Sequence, residues 1–130
     1  MCFFVNISKI ISKLNTKYTN KTINVSATND APYFNPSLQD QQVFESEALN
    51  YTVTGADDES DTPYNFSITT TLTSIIIEYV SNTSAKIRFN NSGLDVASFN
   101  DRGNHTVYVN ITDSGNPLES TVDSFNLEVI

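Results

Sequence analysis

Four carboxylates crowd into five positions of this chain, at Asp57, Asp58, Glu59 and Asp61. The segments before and after them, 51–54 and 64–68, alternate apolar and polar residues, which predicts two half-buried strands joined by an acidic loop. Like charges this close repel one another unless a cation lies among them, and hard carboxylate oxygens are the ligands that calcium takes. The spacing indicates a calcium-binding loop; a solvated acidic turn is the alternative, because Asp and Ser also favour turns for backbone reasons.

The residues that most often carry catalysis are few and scattered. The one histidine, His105, ends the run Asp101-Arg-Gly-Asn-His, a pattern typical of the corner where many β-sandwiches enter their sixth strand. We expect a half-buried side chain bonded to nearby backbone there, with a metal ligand or catalytic base as the alternative. Without a second histidine or a cysteine cluster, nucleophilic catalysis and zinc hydrolysis lack a residue set. Because Asp57 and Glu59 share one loop rather than face each other across a cleft, glycoside hydrolysis is disfavoured too, and we expect no enzyme.

Charge and composition exclude some partners. Asp and Glu number 15 against 7 Lys and Arg, and no basic cluster exists outside the first 21 residues, so we expect no nucleic-acid partner. No apolar run reaches the roughly 18 residues of a membrane span, so this segment should not insert directly into a membrane. The abundance of Asn, Ser and Thr, all weak helix formers, favours an all-β domain.

Alternating residues and turn signals mark seven strands. They fall near residues 41–45, 49–53, 64–69, 74–79, 85–89, 105–112 and 120–130. Within the fourth, Ile75-Ile76-Ile77 predicts a strand covered on both faces or an apolar edge. Seven short strands without a helical period predict an all-β, seven-stranded Greek-key β-sandwich of the immunoglobulin-like or cadherin-like type.

A further strand, at 21–27, divides the chain into three parts. Its alternation of Ile23, Val25 and Ala27 matches that of residues 125–129, at an offset that suits the period of a sandwich domain. We therefore interpret residues 21–30 as the last strand of a preceding repeat plus a linker, and 31–130 as one whole repeat. Residues 1–20 stay unassigned.

Four motifs in order resemble a cadherin-type repeat, of the microbial or dystroglycan-type cadherin-like kind. They are Asn29-Asp-Ala-Pro-x-Phe34 in the linker, an acidic residue on the first strand at Glu45, Ala56-Asp-x-Glu59 in the acidic loop, and Thr112-Asp-x-Gly-x-Pro117. The resemblance implies Ca²⁺ held at the junction between consecutive repeats.

Carried over by position, the resemblance also implies the ligands. One end of the repeat would use Asn29, Asp30, Asp57, Glu59 and Asp113, with the preceding repeat completing the six to eight oxygens of a calcium ion. The opposite end would use Glu45 and Asp101 at the next junction. The linker has Ala27 where the family usually has an acidic residue, so we expect one ion per junction, or none.

Two functions remain open. The first is a calcium-binding extracellular repeat of a cell-surface protein, in adhesion or as a rigidified stalk, with neighbouring repeats and homophilic or heterophilic surface proteins as partners and an anchor or secretion signal outside this fragment. The second is a calcium-independent spacer or carbohydrate-binding module of a secreted protein. A sugar-binding face needs exposed aromatic rings, whereas Tyr51, Tyr79 and Tyr108 lie in predicted strands where core or edge packing is expected.

Glycosylation acceptor triplets favour an extracellular setting; they begin at Asn6, Asn20, Asn24, Asn50, Asn65, Asn82, Asn90, Asn104 and Asn110.

Overall fold

The computed structural model describes residues 28–130. The strand predicted at 21–27 and the unassigned segment 1–20 lie outside the described residues. Between 28 and 130 the chain forms eight strands and one 3₁₀ turn, Phe99–Asp101. In chain order the strands are β1 (Tyr33–Phe34), β2 (Gln41–Val43), β3 (Tyr51–Ala56), β4 (Asn65–Thr69), β5 (Ile75–Ser81), β6 (Ser84–Phe89), β7 (Gly103–Thr112) and β8 (Ser120–Val129).

The strands form two four-stranded sheets that share one core. One sheet has the order β1-β3-β6-β5 and the other β2-β8-β7-β4. Neighbouring strands are antiparallel except β2 and β8, which run parallel with Val43 opposite Val129. Consecutive strands thus cross repeatedly from one sheet to the other, and the predicted all-β sandwich is confirmed.

The predicted count of seven strands is one short. All seven predicted strands are present, and the eighth, β1, pairs Tyr33 with Ala56 at the end of β3. It was missed because two residues between Pro32 and Pro36 are too few to show an alternation. A proline is tolerated just before β1 because β1 lies at the edge of its sheet.

Strict alternation in β7 explains how the core is built. Val107, Val109 and Ile111 are 0% exposed, whereas Thr106 and Tyr108, at alternate positions of the strand, face solvent. The inward residues share one core cluster with those of β8, the neighbour in the same sheet, and with those of β6 in the opposite sheet. The Ile75-Ile76-Ile77 run lies on β5, an edge strand, so of the two predicted alternatives the apolar edge is the one found.

The three tyrosines that were predicted to pack in the core or at a sheet edge divide between core and solvent. Tyr51 packs edge-on against Phe125, with ring centroids 5.0 Å apart, as expected. Tyr79 is 71% exposed and Tyr108 is 50% exposed, so packing was the wrong prediction for both. Tyr108 points outward because its neighbours Val107 and Val109 point inward.

The loops divide between two ends of the sandwich. One end, called the acidic end below, carries the β3–β4 loop (57–64), the β5–β6 turn (82–83) and the β7–β8 loop (113–119). These segments touch one another: Tyr64 N donates to Asn82 O, and Ser114 N donates to Asp61 O. The opposite end carries the 3₁₀ turn and Ile130. Within residues 28–130, no helix is long and apolar enough to cross a membrane.

Candidate metal centre

Three carboxylates meet at the acidic end. Ligand oxygens of Asp57, Asp61 and Asp113 all lie within 4.8 Å of one another, with Asp57 and Asp113 buried and Asp61 half-buried. Asp57 directly follows β3 and Asp113 directly follows β7, so the two are brought together by the ends of strands in opposite sheets. Rigid strands therefore position the site, although its side chains belong to loops.

Asp61 is the member of this group that the sequence reading missed. The acidic run includes Asp61, but the motif resemblance covers only Asp57 and Glu59 of this loop, so Asp61 is not among the predicted ligands. Ser60 has a positive φ of 58°, and this left-handed residue turns the chain between Asp57 and Asp61. The bond from Ser114 N to Asp61 O, 3.1 Å long, then fastens the acidic loop to the β7–β8 loop. The acidic run itself was the signal that pointed to Asp61.

Asp113 organises the β7–β8 loop. Its Oδ1 accepts hydrogen bonds from Gly115 N at 3.1 Å and Glu119 N at 3.0 Å, and its Oδ2 accepts one from Asn29 Nδ2 at 2.8 Å. Burial alone would raise the pKa of the Asp113 carboxyl, but these bonds outweigh it and hold the pKa below the ordinary value. Asp113 is therefore an ionised carboxylate inside the fold.

Asn29 joins the linker to the site. Besides Asp113, its Nδ2 donates to Pro117 O at 2.7 Å. Gly115 is required for this contact, because a Cβ there would overlap the Asn29 amide and lie 2.6 Å from Asp61 Oδ2. The sequence predicted that the linker and the two loops converge, and the structure brings Asn29, Asp57 and Asp113 together.

Three buried oxygens at this end have no hydrogen-bond donor among the described residues. They are Asn29 Oδ1, Asp57 Oδ2 and Glu59 Oε2. Asp57 is only 9% exposed, so water cannot readily replace a missing partner for its Oδ2. A buried unpaired carboxylate oxygen is costly. Carboxylate and amide oxygens from three separate segments are the donor set that fits a hard cation such as Ca²⁺, and they do not suit a soft metal.

Two raised pKa values at the acidic end reflect the crowding of negative charge there. The pKa of Glu59 is raised, first because a protonated Glu59 can donate to Asp57, then by burial and by the negative charges of Asp30 and Asp57. The pKa of the buried Tyr64 hydroxyl is also raised, mainly by burial and next by Asp57.

The raised pKa of Glu59 predicts how a metal-free chain responds to pH. The native state binds this proton more tightly than the unfolded state, so its stabilisation is present below the ordinary value of 4.5 and is lost as pH rises through the native pKa. In chelator, we expect the wild type to lose more stability between pH 4.5 and 7 than Glu59→Gln does. Denaturant unfolding at several pH values measures this. Equal slopes for both proteins would contradict it.

The other predicted ligands lie at the opposite end. Glu45 is exposed, and its backbone N donates to Ile130 O at 2.8 Å. Asp101 is 4% exposed and both its oxygens already accept bonds: Oδ1 from Ser74, and Oδ2 from Asn91 at 2.8 Å and from Ser98. The structure thus gives Asp101 a role in holding loops together. Its role as a calcium ligand stays a prediction.

His105 has the structural role that was expected first. Its Nε2 lies 2.6 Å from the backbone oxygen of Asp101, and the side chain is half-buried. This bond closes the corner between the 3₁₀ turn and β7. The expected backbone contact is confirmed.

The chain matches no protein-family model and no curated protein. Solved structures with a similar fold include repeats EC21–23 of human CDH23 (TM-score 0.60, 17% identity, 82% of this chain and 36% of that chain). Others are EC1–2 of human mucin-like protocadherin (0.57, 19%, 82% and 57%) and an endo-fucoidan hydrolase of glycoside hydrolase family 107 (0.59, 23%, 82% and 14%).

These similarities establish the fold. The described domain is a cadherin-like, immunoglobulin-like β-sandwich, as the motif resemblance implied. The identities are low, and the chain spans between 14% and 57% of these three structures. Their activities and partners therefore do not carry over with the fold.

Proposed function

We propose that this chain is a calcium-binding, cadherin-like repeat of a larger extracellular, cell-surface protein, acting in adhesion or as a stalk. One observation carries the proposal: three clustered carboxylates from two loops lie at the end of the sandwich that also has three buried oxygens without a hydrogen-bond donor, one of which, Asp57 Oδ2, belongs to the cluster. A calcium ion would be held by residues of the linker and of the two loops, with any remaining positions filled by water or by the preceding repeat. These residues are Asn29, Asp30, Asp57, Glu59, Asp61 and Asp113. The role is binding rather than catalysis.

The position of Asn29 supports the stalk interpretation. Asn29 belongs to the linker, yet its amide contacts Asp113 and the carbonyl of Pro117 in the body of the repeat. A cation shared by linker and loops would remove the repulsion among their carboxylates and fix the direction in which the linker leaves. Neighbouring repeats are thus the proposed partners at this end, with one ion per junction. At the opposite end, exposed Glu45 is the better placed ligand, because Asp101 is fully bonded.

Thermal unfolding in chelator and in 2 mM calcium tests the proposal. Extracellular calcium modules bind with dissociation constants of about 10⁻⁴ to 10⁻³ M, so we expect stabilisation of about 0.6 to 1.8 kcal/mol. For a domain near 100 residues, the midpoint should rise by about 3 to 14 °C. Magnesium at the same concentration should raise it less, because magnesium gives up its water shell reluctantly.

Variants separate the site from general charge effects. Asp57→Asn with Asp61→Asn should abolish the calcium-induced rise; both leave the bonds of Asp113 intact. Asp58→Asn with Asp95→Asn removes the same charge from exposed positions and should keep the rise. If calcium raised the midpoints of the wild type and both double variants equally, or left the wild type unchanged, the proposed site would be wrong.

A groove at the opposite end favours carbohydrate binding as a second candidate. It encloses about 470 Å³ between the β4–β5 loop and the start of β7, and its lining includes no Asp, Glu, Lys or Arg side chain. Threonine hydroxyls and Asn104 offer hydrogen bonds, and the half-exposed ring of Tyr108 offers an apolar face. These groups suit a neutral sugar. Calorimetry with neutral oligosaccharides should show binding to the wild type that Tyr108→Ala loses, if this candidate is correct.

A further inference from the structure

The aromatic ring of Tyr79 is exposed to solvent. It is 71% exposed, the most exposed large hydrophobic side chain in residues 28–130. Its one hydrogen bond in the described structure runs from Oη to Asn82 Oδ1, at 3.0 Å. A ring this exposed loses the contacts that normally stabilise an aromatic side chain.

Asn82 begins the acceptor triplet Asn82-Thr-Ser84 and stands on the two-residue turn between β5 and β6. The turn is fixed at both residues, because Asn82 O accepts from Tyr64 N and Thr83 O accepts from Gly55 N. With Oδ1 bound to Tyr79, Nδ2 is the free end of an exposed side chain, and it makes no hydrogen bond to the described residues. This is the nitrogen that N-glycosylation modifies.

The other described acceptors are placed less favourably. Asn65, Asn104 and Asn110 lie within strands, and Asn110 Oδ1 is buried. Asn90 is also exposed and its Oδ1 is likewise occupied, but the donor is the backbone N of Gly93 and not an aromatic side chain. Asn50 precedes Tyr51, but that ring is half-buried against Phe125, and its hydroxyl accepts from Gln39 N. Of these acceptors, Asn82 alone combines a hairpin turn with an exposed aromatic ring that touches the asparagine.

We propose that Asn82 carries an N-linked glycan whose first sugar packs its apolar face on the ring of Tyr79. An oligosaccharyltransferase joins Asn82 Nδ2 to C1 of a sugar supplied as a lipid diphosphate. The C1–O bond to the diphosphate breaks, the amide nitrogen loses a proton, and the lipid diphosphate leaves with the bonding electrons. The sugar removes apolar ring surface from water and so stabilises the native state. The proposal depends on the extracellular placement proposed above.

The position of β5 gives the glycan a second effect. β5 is an edge strand whose outer side has no neighbour in the described structure, and Val80 on it is 51% exposed. Exposed apolar edges invite pairing with other chains, and proteins cover or charge them. A glycan at the end of β5 would obstruct such pairing.

The experiment compares the chain secreted from a eukaryotic host with the same chain made in a bacterial cytoplasm, which adds no glycan. Mass spectrometry should show Asn82 to be the most fully occupied of the six described acceptors. Thermal unfolding of secreted protein should place the wild type several degrees above Asn82→Gln, whereas the two bacterial products should coincide. Low occupancy at Asn82 beside high occupancy elsewhere would overturn the proposal.

Two further variants test the ring. In a Tyr79→Ala background, restoring Asn82 should give no glycan-dependent rise in midpoint. Tyr79→Phe keeps the ring and should keep the rise, so it decides the matter if Tyr79→Ala folds poorly. An equal rise with and without the ring would contradict packing on Tyr79. The calcium response is measured on the bacterial product, so failure here does not affect the proposed function.

Discussion

Replacing Asp101 by alanine should lower the free energy of unfolding by about 3 kcal/mol and the thermal midpoint by roughly 12 °C or more. The Asp101 carboxylate is 4% exposed and joins Ser74 of the β4–β5 loop, Asn91 of the β6–β7 loop and Ser98 of the 3₁₀ turn. Without it, these half-buried donors lose their shared acceptor, although Asn91 keeps its bond to Val96 O. Denaturant unfolding measures the loss, and exposed Asp95→Ala is the matched control, expected within about 0.5 kcal/mol of wild type.

Acid should remove the same stabilisation. Burial tends to raise the pKa of Asp101, but hydrogen bonds from Ser74, Ser98 and Asn91 outweigh it and lower the pKa below the ordinary value of 3.8. The native state therefore favours the ionised form, and its stabilisation is present above pH 3.8 and is lost as pH falls toward the native pKa. The difference between wild type and Asp101→Asn should shrink over that range. A difference independent of pH would show that the charge of Asp101 is irrelevant.

Gly55→Ala should destabilise the domain by about 2 to 3 kcal/mol, because the core has no space for a methyl group at this position. A Cβ at Gly55 would overlap Ile111 Cδ1 and lie 2.8 Å from Tyr64 Cδ2. Gly55 is buried in β3, where its missing side chain lets β7 approach. Tyr64 borders the acidic loop, so the substitution should also weaken the response to calcium.

A double-mutant cycle identifies the cause. Ile111→Val removes the methyl group that the new Cβ would overlap, at a cost of about 0.5 to 1.5 kcal/mol by itself. The double variant should be more stable than the sum of the single effects predicts, because Ile111→Val makes room for the new Cβ and this Cβ fills the space that the lost methyl group leaves. Strict additivity in equilibrium unfolding would place the damage of Gly55→Ala elsewhere.

Strand patterns in this sequence were readable because one face of each sheet is buried. In β7 the alternation of Val107, Val109 and Ile111 with polar residues follows directly from a two-residue side-chain period. β1 is too short to show any period. The exposure of Tyr79 and Tyr108 depends on which face of each strand meets the other sheet, and apolar character alone does not reveal that for an isolated aromatic residue.

Part of the candidate metal site could be predicted from the sequence. The resemblance to cadherin-type repeats implied that Asp57 and Asp113 would meet, and the structure places both directly after strand ends at the same rim of the sandwich. The contribution of Asp61 depends on the left-handed backbone conformation of Ser60. Serine seldom adopts this conformation, and the neighbouring residues in the sequence do not predict it. The bonds that occupy Asp101 come from two loops, β4–β5 and β6–β7, and the meeting of these loops is a property of the folded chain.

The parallel pairing of β2 with β8 has a mechanical consequence. The chain enters the sandwich at the acidic end through Asn29 and reaches Ile130 at the other end, where Ile130 N donates to Val43 O and Ile130 O accepts from Glu45 N. Tension applied between these two points pulls β2 and β8 in opposite directions along their length. The hydrogen bonds between them are then sheared together rather than unzipped one at a time, so the domain is built to resist stretching in the direction in which a tethered chain would be pulled.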